Sequence, residues 1–273
     1  MSTLHSLAAA TPAGAMTTKP PMLCLHASGS SARQWQAMTP ALAARWRAVS
    51  PDLLGYGDAA RWPLGTPVSL DDEAQALAPL LHREPVHLFG HSYGGAVALQ
   101  MALRWPERVR SLTLYEPVRF ALLFDAGGTA RAAGESIAAV GRRIGWETLS
   151  GRSEAAAQRF VDYWSGDGAW QQLGNARRQA VAERMPKVQA EFEALFADPV
   201  PASAYARLAM PVRLIGGTRS PLPARQVLEV LRTSLPHVTC TMLEGLGHLG
   251  PIEAPQRVLA GLGVDGGEGR LAA

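Results

Sequence analysis

Residues 86 to 95, Val-His-Leu-Phe-Gly-His-Ser-Tyr-Gly-Gly, run from an apolar, strand-like segment straight into a Gly-x-Ser-x-Gly turn. Ala96, Val97, Leu99, Ala102 and Leu103 follow at helical spacing, so the stretch predicts a strand, a sharp turn and a helix. A serine at the apex of such a turn sits in strained backbone with its hydroxyl presented at the end of a sheet, the arrangement of a nucleophile elbow. Gly90 and Gly94 flank Ser92, and Gly95 lets the helix approach the strand closely. The plain alternative is a serine that only caps the helix.

The rest of the chain alternates in the same way. Met22–His26 is a short continuous apolar run suited to a central parallel strand. It stops at Ala27-Ser28-Gly29-Ser30-Ser31, where Ser31 is placed to cap a helix reaching about Arg45 with Trp35, Met38 and Leu42 on one side. Trp46–Ser50 reads as a strand, and Asp52 as the residue that orders the Gly55-Tyr56-Gly57 loop. Ser69 with three acids opens a helix to about Leu81. Val109–Tyr115 reads as a strand closed by Glu116-Pro117.

From Val118 to about Leu208 no strand pattern recurs, and the stretch reads as a helical insertion. Val212–Gly216, a helix over about 224–235, the strand Val238–Leu243, the loop Gly245–His248 and a helix over 253–262 complete the pattern. The expected organisation is an arm over 1–20 with at most a short strand near Leu4–Ala9, a core over 21–117 and 209–262, the insertion 118–208, and a disordered tail over 263–273. The fold class is α/β, a doubly wound, mainly parallel sheet. Sites in such sheets lie at the carboxyl ends of the strands, where His26, Ser92, Glu116, Gly216 and His248 all fall.

Composition narrows the partners. The formal charge is +3, but the arginines are scattered without a basic block or aromatic stripe, so nucleic acid is not an expected partner. Cys24 and Cys240 both lie in apolar segments and read as buried core residues rather than a disulfide. The N-terminus lacks a charged start and a long apolar core, and no apolar run approaches the ~20 residues that span a bilayer. A cytoplasmic protein with no membrane partner is expected.

A serine hydroxyl needs a base to take its proton and donors to hold the oxyanion that forms. His248, late in the chain in a Gly-rich loop after the last strand, is the candidate base, following the order serine, acid, histidine. His87 and His91 read as structural, and His5, His82 and His237 have no such setting. No Cys/His cluster with metal-ligand spacing and no phosphate-cradling loop occurs, so no cofactor is expected.

With these residues in view, the chain over about 21–262 resembles the α/β-hydrolase superfamily, in particular its small-molecule esterases, carbon-carbon bond hydrolases, perhydrolases and dehalogenases. The resemblance implies an oxyanion hole from the backbone N–H groups of Ser28 and Tyr93, with Ala27 where the family usually has glycine. It implies that the insertion is a cap whose Phe120, Phe124 and Trp164 reach a substrate pocket. It also exposes a departure, since Ser220 stands where the acid aspartate usually lies. Glu116, at the end of the strand after the elbow helix, is the candidate replacement, with Asp125 a further one. Binding a helix terminus or an arginine is the non-catalytic role open to Glu116.

The expected activity is hydrolysis of an ester, or a related activated carbonyl, of a small hydrophobic molecule through an acyl-enzyme on Ser92. Carbon-carbon bond hydrolysis of a ring-cleavage product is the enzymatic alternative. A non-catalytic binding protein on the same scaffold is the alternative that Ser220 motivates. Dehalogenation is disfavoured, because that chemistry wants a carboxylate where Ser92 stands.

Overall fold

The computed structural model describes residues 19–63 and 65–263. The expected strand at Leu4–Ala9, His5, most of the N-terminal arm and the tail beyond Gly263 lie outside them. Six strands, β1 (Pro21–Leu25), β2 (Arg47–Val49), β3 (Val86–His91), β4 (Val109–Tyr115), β5 (Val212–Gly217) and β6 (Val238–Leu243), form one sheet in the order β2-β1-β3-β4-β5-β6. Every neighbouring pair is parallel. The chain leaves β1 in one direction to make β2 and returns to the other side for β3, so the carboxyl ends of β1 and β3 flank the point where the strand order reverses.

The apolar runs are continuous because both faces of the sheet are buried. Leu23, Leu25, Leu88, Leu112, Leu114, Val212 and Leu214 belong to one core, with α2 (Leu70–Leu77), α3 (Tyr93–Arg104) and α10 (Leu222–Ser234). Met22, Cys24, Phe89, Tyr115 and Ile215 point the other way, onto Trp35, Met38, Leu42, Val258 and Leu259. The period-2 alternation of a strand thus divides each run between two cores.

Two expected helices are broken. Instead of one helix over 31–45, a 3₁₀ turn spans Ala32–Trp35 and a short α1 spans Thr39–Leu42. Pro40 has no N–H to donate to the preceding turn, and is tolerated only in the first turn of α1. Ser31 makes no side-chain cap. The last helix is likewise split at Ala254 into α11 (Gly250–Glu253) and α12 (Pro255–Gly261), Pro255 opening the second. Ser69 does form the expected capping box, accepting from the Asp72 N–H at 3.1 Å while Asp72 accepts from the Ser69 N–H at 2.9 Å. Cys240 departs from expectation: it is exposed, because β6 is the sheet edge, while Cys24 is buried.

Between β4 and β5 the chain forms α4 (Leu122–Ala126), α5 (Gly128–Leu149), α6 (Ser153–Ser165), α7 (Ala169–Gln172), α8 (Asn175–Ala182) and α9 (Met185–Ala197), with no strand. Arg119 fastens its base. This side chain is fully buried, donates through Nε to Asp198 at 2.7 Å and through Nη1 to Gln100 of α3 at 3.2 Å, so both ends of the insertion are tied to the elbow helix. Among the described residues no helix is long and apolar enough to cross a membrane.

Candidate active site

Ser92 sits between β3 and α3 with φ 54° and ψ −119°. Only one other non-glycine among the described residues has positive φ, and it is Glu116, directly after β4. Two strained residues at neighbouring strand ends are held by backbone bonds: the Ser92 N–H donates to the Tyr115 carbonyl and the Glu116 N–H to the Ile215 carbonyl, each at 3.0 Å. Gly94 is obligatory for a different reason, because a Cβ there would strike the Leu25 and His26 carbonyl oxygens where α3 starts against β1. α3 is apolar nearly all round and buried, which fixes the turn from beneath.

The strand order then brings distant residues together. The Ser92 hydroxyl lies 2.9 Å from His248 Nε2, and His248 Nδ1 lies 2.7 Å from Glu116 Oε2. A carboxylate only accepts, so Nδ1 carries the imidazole proton and the Nε2 lone pair faces the hydroxyl. Glu116 is fully buried, and its other oxygen accepts from the Gly217 N–H at 2.6 Å and the Ser220 hydroxyl at 2.5 Å. Three donors therefore surround the carboxylate. Asp125 lies exposed on α4, and Asp52 accepts from the Ala32 N–H at 2.7 Å and the Asp58 N–H at 3.0 Å, ordering its loop as expected.

The loop carrying His248 is pinned from β3 and β4. Tyr115 donates to the Gly247 carbonyl at 2.7 Å, and His91 Nε2 donates to the His248 carbonyl at 2.8 Å. Burial, reinforced by the neighbouring His248, pushes the His91 pKa well below its usual value, so this ring is a neutral donor. His26 is also kept neutral. Burial lowers its pKa to about 4, while Nδ1 donates to the Ala27 carbonyl at 2.8 Å and Nε2 accepts from the Leu53 N–H at 3.0 Å.

Above the imidazole, Trp164 of α6 stacks on the His248 ring with centroids 4.0 Å apart. Ser28, Ser92 and His248 open into a cavity of about 970 Å³, with Val118, Phe120, Phe160, Trp164, Phe192 and Leu195 among its apolar walls and Arg33, Gln36, Gln172 and Arg177 among its polar ones. Phe124 is not among the lining residues; it packs edge-on against Phe196, because it leaves α4 on the side facing the insertion's own core. Neither the Ser28 nor the Tyr93 N–H has a hydrogen-bond partner among the described residues. A hydroxyl facing a basic nitrogen, a charged acceptor behind that ring and free amides beside it can together carry nucleophilic acyl transfer. Among the described residues no group of three or more His, Cys, Asp or Glu side chains is placed to hold a metal ion.

Sequence reasoning did not find Trp164's place on the imidazole, the pinning of His248 by Tyr115 and His91, or Ser220's bond to Glu116. It also passed over Tyr56 and Arg184, which anchor the loop at Ser28. The spacing of Arg184, Lys187 and Glu191, three and four residues apart on one helix face, is the available signal.

Residues 22–261 match the model of the Alpha/beta hydrolase family. The chain is 29% identical over 260 residues to a pimeloyl-[acyl-carrier protein] methyl ester esterase of Aromatoleum aromaticum, covering 87% of this chain and 94% of that protein. A 2-hydroxymuconate semialdehyde hydrolase of a Pseudomonas species is 37% identical over 100 residues, only 34% of this chain and 35% of that enzyme. Among solved structures, a thermophilic esterase from Thermogutta terrifontis superposes with a TM-score of 0.69 at 21% identity, covering 90% of this chain and 88% of that one. A 2-hydroxy-6-oxo-6-phenylhexa-2,4-dienoate hydrolase from a Rhodococcus species gives 0.63 at 21% identity, with 89% of each chain covered. At those identities the superpositions speak to the fold.

Proposed function

Because the chain belongs to the alpha/beta hydrolase family, we propose that it is a serine hydrolase cleaving an ester, or a related activated carbonyl, of a small hydrophobic molecule. The observation that carries this is the continuous contact from Ser92 through His248 to Glu116. In this reading the Ser92 hydroxyl attacks the carbonyl carbon as His248 Nε2 takes its proton. Glu116 orients the ring and offsets the charge of the imidazolium. The Ser28 and Tyr93 N–H groups receive the oxyanion. His248 then returns the proton to the leaving alcohol, and water repeats the sequence on the acyl-Ser92 intermediate.

The insertion acts as the cap, its Phe120 and Trp164 bounding the apolar side of a pocket of the size that takes a small organic substrate. The stretch shared with the semialdehyde hydrolase favours a second reading, carbon-carbon bond hydrolysis with the same residues. The non-catalytic reading loses its motive, since Glu116 meets the imidazole that Ser220 does not.

The test is labelling with a fluorophosphonate probe, followed by turnover of short nitrophenyl esters and of ring-cleavage dienoates. Labelling that is lost in Ser92→Ala, with ester turnover, is expected. A folded protein that takes no label would sink the proposal, and turnover of the dienoates alone would select the second reading.

A further inference from the structure

The turn that carries Ser28 is anchored from outside on both sides of that residue, at Ala27 and at Gly29. Ala27 donates its N–H to Gln34 Oε1 at 3.1 Å, and its carbonyl closes the turn by accepting from the Ser30 N–H at 3.2 Å. The Gly29 N–H donates to the Tyr56 hydroxyl at 3.0 Å, and the Gly29 carbonyl accepts from Arg184 Nη1 at 2.7 Å. Of the N–H groups from Ala27 to Ser30, Ser28's alone is without a partner among the described residues. Gly29 has φ +67°, as a type II turn requires at its third position. A glycine is conformationally free, so the fixed direction of the neighbouring Ser28 amide has to come from these anchors.

Two of the anchors trace back to α9. Arg184 immediately precedes it, and the Tyr56 hydroxyl donates to Glu191 Oε2 at 3.0 Å, which turns its lone pairs toward Gly29. Between them, Lys187 Nζ donates to Glu191 Oε1 at 3.2 Å and to Glu73 Oε1 at 2.7 Å. Glu73 accepts from the Leu54 N–H at 3.0 Å and from the Tyr93 hydroxyl at 3.3 Å. Tyr56, Tyr93, Glu73, Lys187 and Glu191 are all buried. Burying such a charge cluster costs desolvation that an apolar substitute would avoid, so its return lies in fixing geometry. Both residues whose amides face the oxyanion, Ser28 through its turn and Tyr93 through its phenol, are tied to this one cluster.

We propose that Arg184, Tyr56 and Glu191 are positioning residues that aim the Ser28 N–H at the oxyanion, so that the insertion completes the oxyanion hole as well as roofing the pocket. The inference rests on the reading of Ser92 as nucleophile. Donors stabilise an oxyanion only within a few tenths of an ångström of hydrogen-bond distance, so a turn freed at Gly29 loses transition-state affinity beyond any change in ground-state binding, to which Arg184, itself a cavity wall, contributes and Tyr56 does not.

The test compares Tyr56→Phe, Arg184→Met and Arg184→Lys with the parent, measuring kcat and KM on a nitrophenyl ester and the affinity of an alkylboronic acid that forms a tetrahedral adduct on serine. Tyr56→Phe and Arg184→Met are expected to lower kcat about ten-fold with KM within about two-fold and to weaken the boronate by a matching factor, while Arg184→Lys, which keeps a donor for the Gly29 carbonyl, retains most of both. Parent-like kcat and boronate affinity in both variants, or a loss confined to KM, would overturn the proposal. Arg184→Met is read by itself if Tyr56→Phe does not fold. A parent protein that neither turns over ester nor binds boronate overturns the hydrolase reading, and this inference with it.

Discussion

The Ser220 hydroxyl donates to Glu116 Oε1 at 2.5 Å, while Glu116 Oε2 accepts from His248 Nδ1 at 2.7 Å. β4 and β5 are parallel neighbours with Tyr115 opposite Ile215, so the residues that follow them end side by side. The Glu116 carboxylate and the Ser220 hydroxyl therefore meet. The charge beside the imidazole is supplied from the end of β4, and Ser220, in the turn that follows β5, is its hydrogen-bond donor.

Glu116→Gln is therefore expected to lower kcat on a nitrophenyl ester by about 10³-fold or more, since the ring loses both its tautomeric restraint and its counter-charge. Ser220→Ala removes one donor, and about a ten-fold loss is the expected ceiling. Ser220→Asp puts a second carboxylate against the first and should also be slow, yet the double variant Glu116→Gln with Ser220→Asp should regain activity over Glu116→Gln alone. Parent-like kcat in Glu116→Gln would refute the assignment.

The elbow stores strain at Ser92, whose φ is 54°. Ser92→Gly should raise stability over Ser92→Ala by about 1 kcal/mol, because glycine adopts that conformation freely. Gly94→Ala is expected to cost about 3 kcal/mol or more, with its Cβ driven into the Leu25 and His26 carbonyls. Gly247→Ala serves as the control, nothing lying within 4 Å of its Cβ position. Urea midpoints rank the four variants, and equal midpoints for the two glycine substitutions would contradict the packing.

His26 gives a pH dependence of definite sign. Its folded-state pKa is lowered to about 4 from 6.5, chiefly by burial, so below pH 6.5 the unfolded chain binds a proton that the folded one refuses. Stability is complete above pH 6.5 and falls as the pH drops toward 4, by about 3 kcal/mol from this group. His91 acts in the same direction. Denaturant titrations across that window should show a shallower slope for His26→Asn than for the parent; superimposable slopes would remove His26 as a cause.

Trp164 meets His248 with ring planes 29° apart. Trp164→Ala should lower kcat/KM several-fold by freeing the imidazole and widening the pocket, while Trp164→Phe keeps most of the activity, as the strength of aromatic pairs suggests. Equal kinetics for the alanine and phenylalanine variants would show that the stack does not restrain the ring.

Strand positions were legible because period-2 burial on two faces leaves continuous apolar runs, and β4 and β6 fall where the residues predict. The serine at the turn was legible because a tight strand-to-helix reversal demands glycine at fixed neighbours. Helix continuity near Pro40 and Pro255 is not legible in the sequence, since apolar spacing survives a break that a proline imposes: Trp35, Met38 and Leu42 share a core although no single helix holds them. The exposure of Cys240 is not legible either, because in sequence an apolar strand at a sheet edge looks like one in the centre.

What the sequence determined by itself is local: which segments are strands, which are helices, and that Ser92 stands on a strained turn at a strand end. What only the tertiary structure decided is convergence. That Glu116 rather than residue 220 meets the imidazole, that Trp164 lies on that ring, and that Arg184 and Tyr56 meet at Gly29 all depend on strand order and on how the insertion folds back over the sheet. Periodicity records which side of an element is buried. It carries no term for which side chains, more than a hundred positions apart as Glu116 and His248 are, arrive within 3 Å of one another.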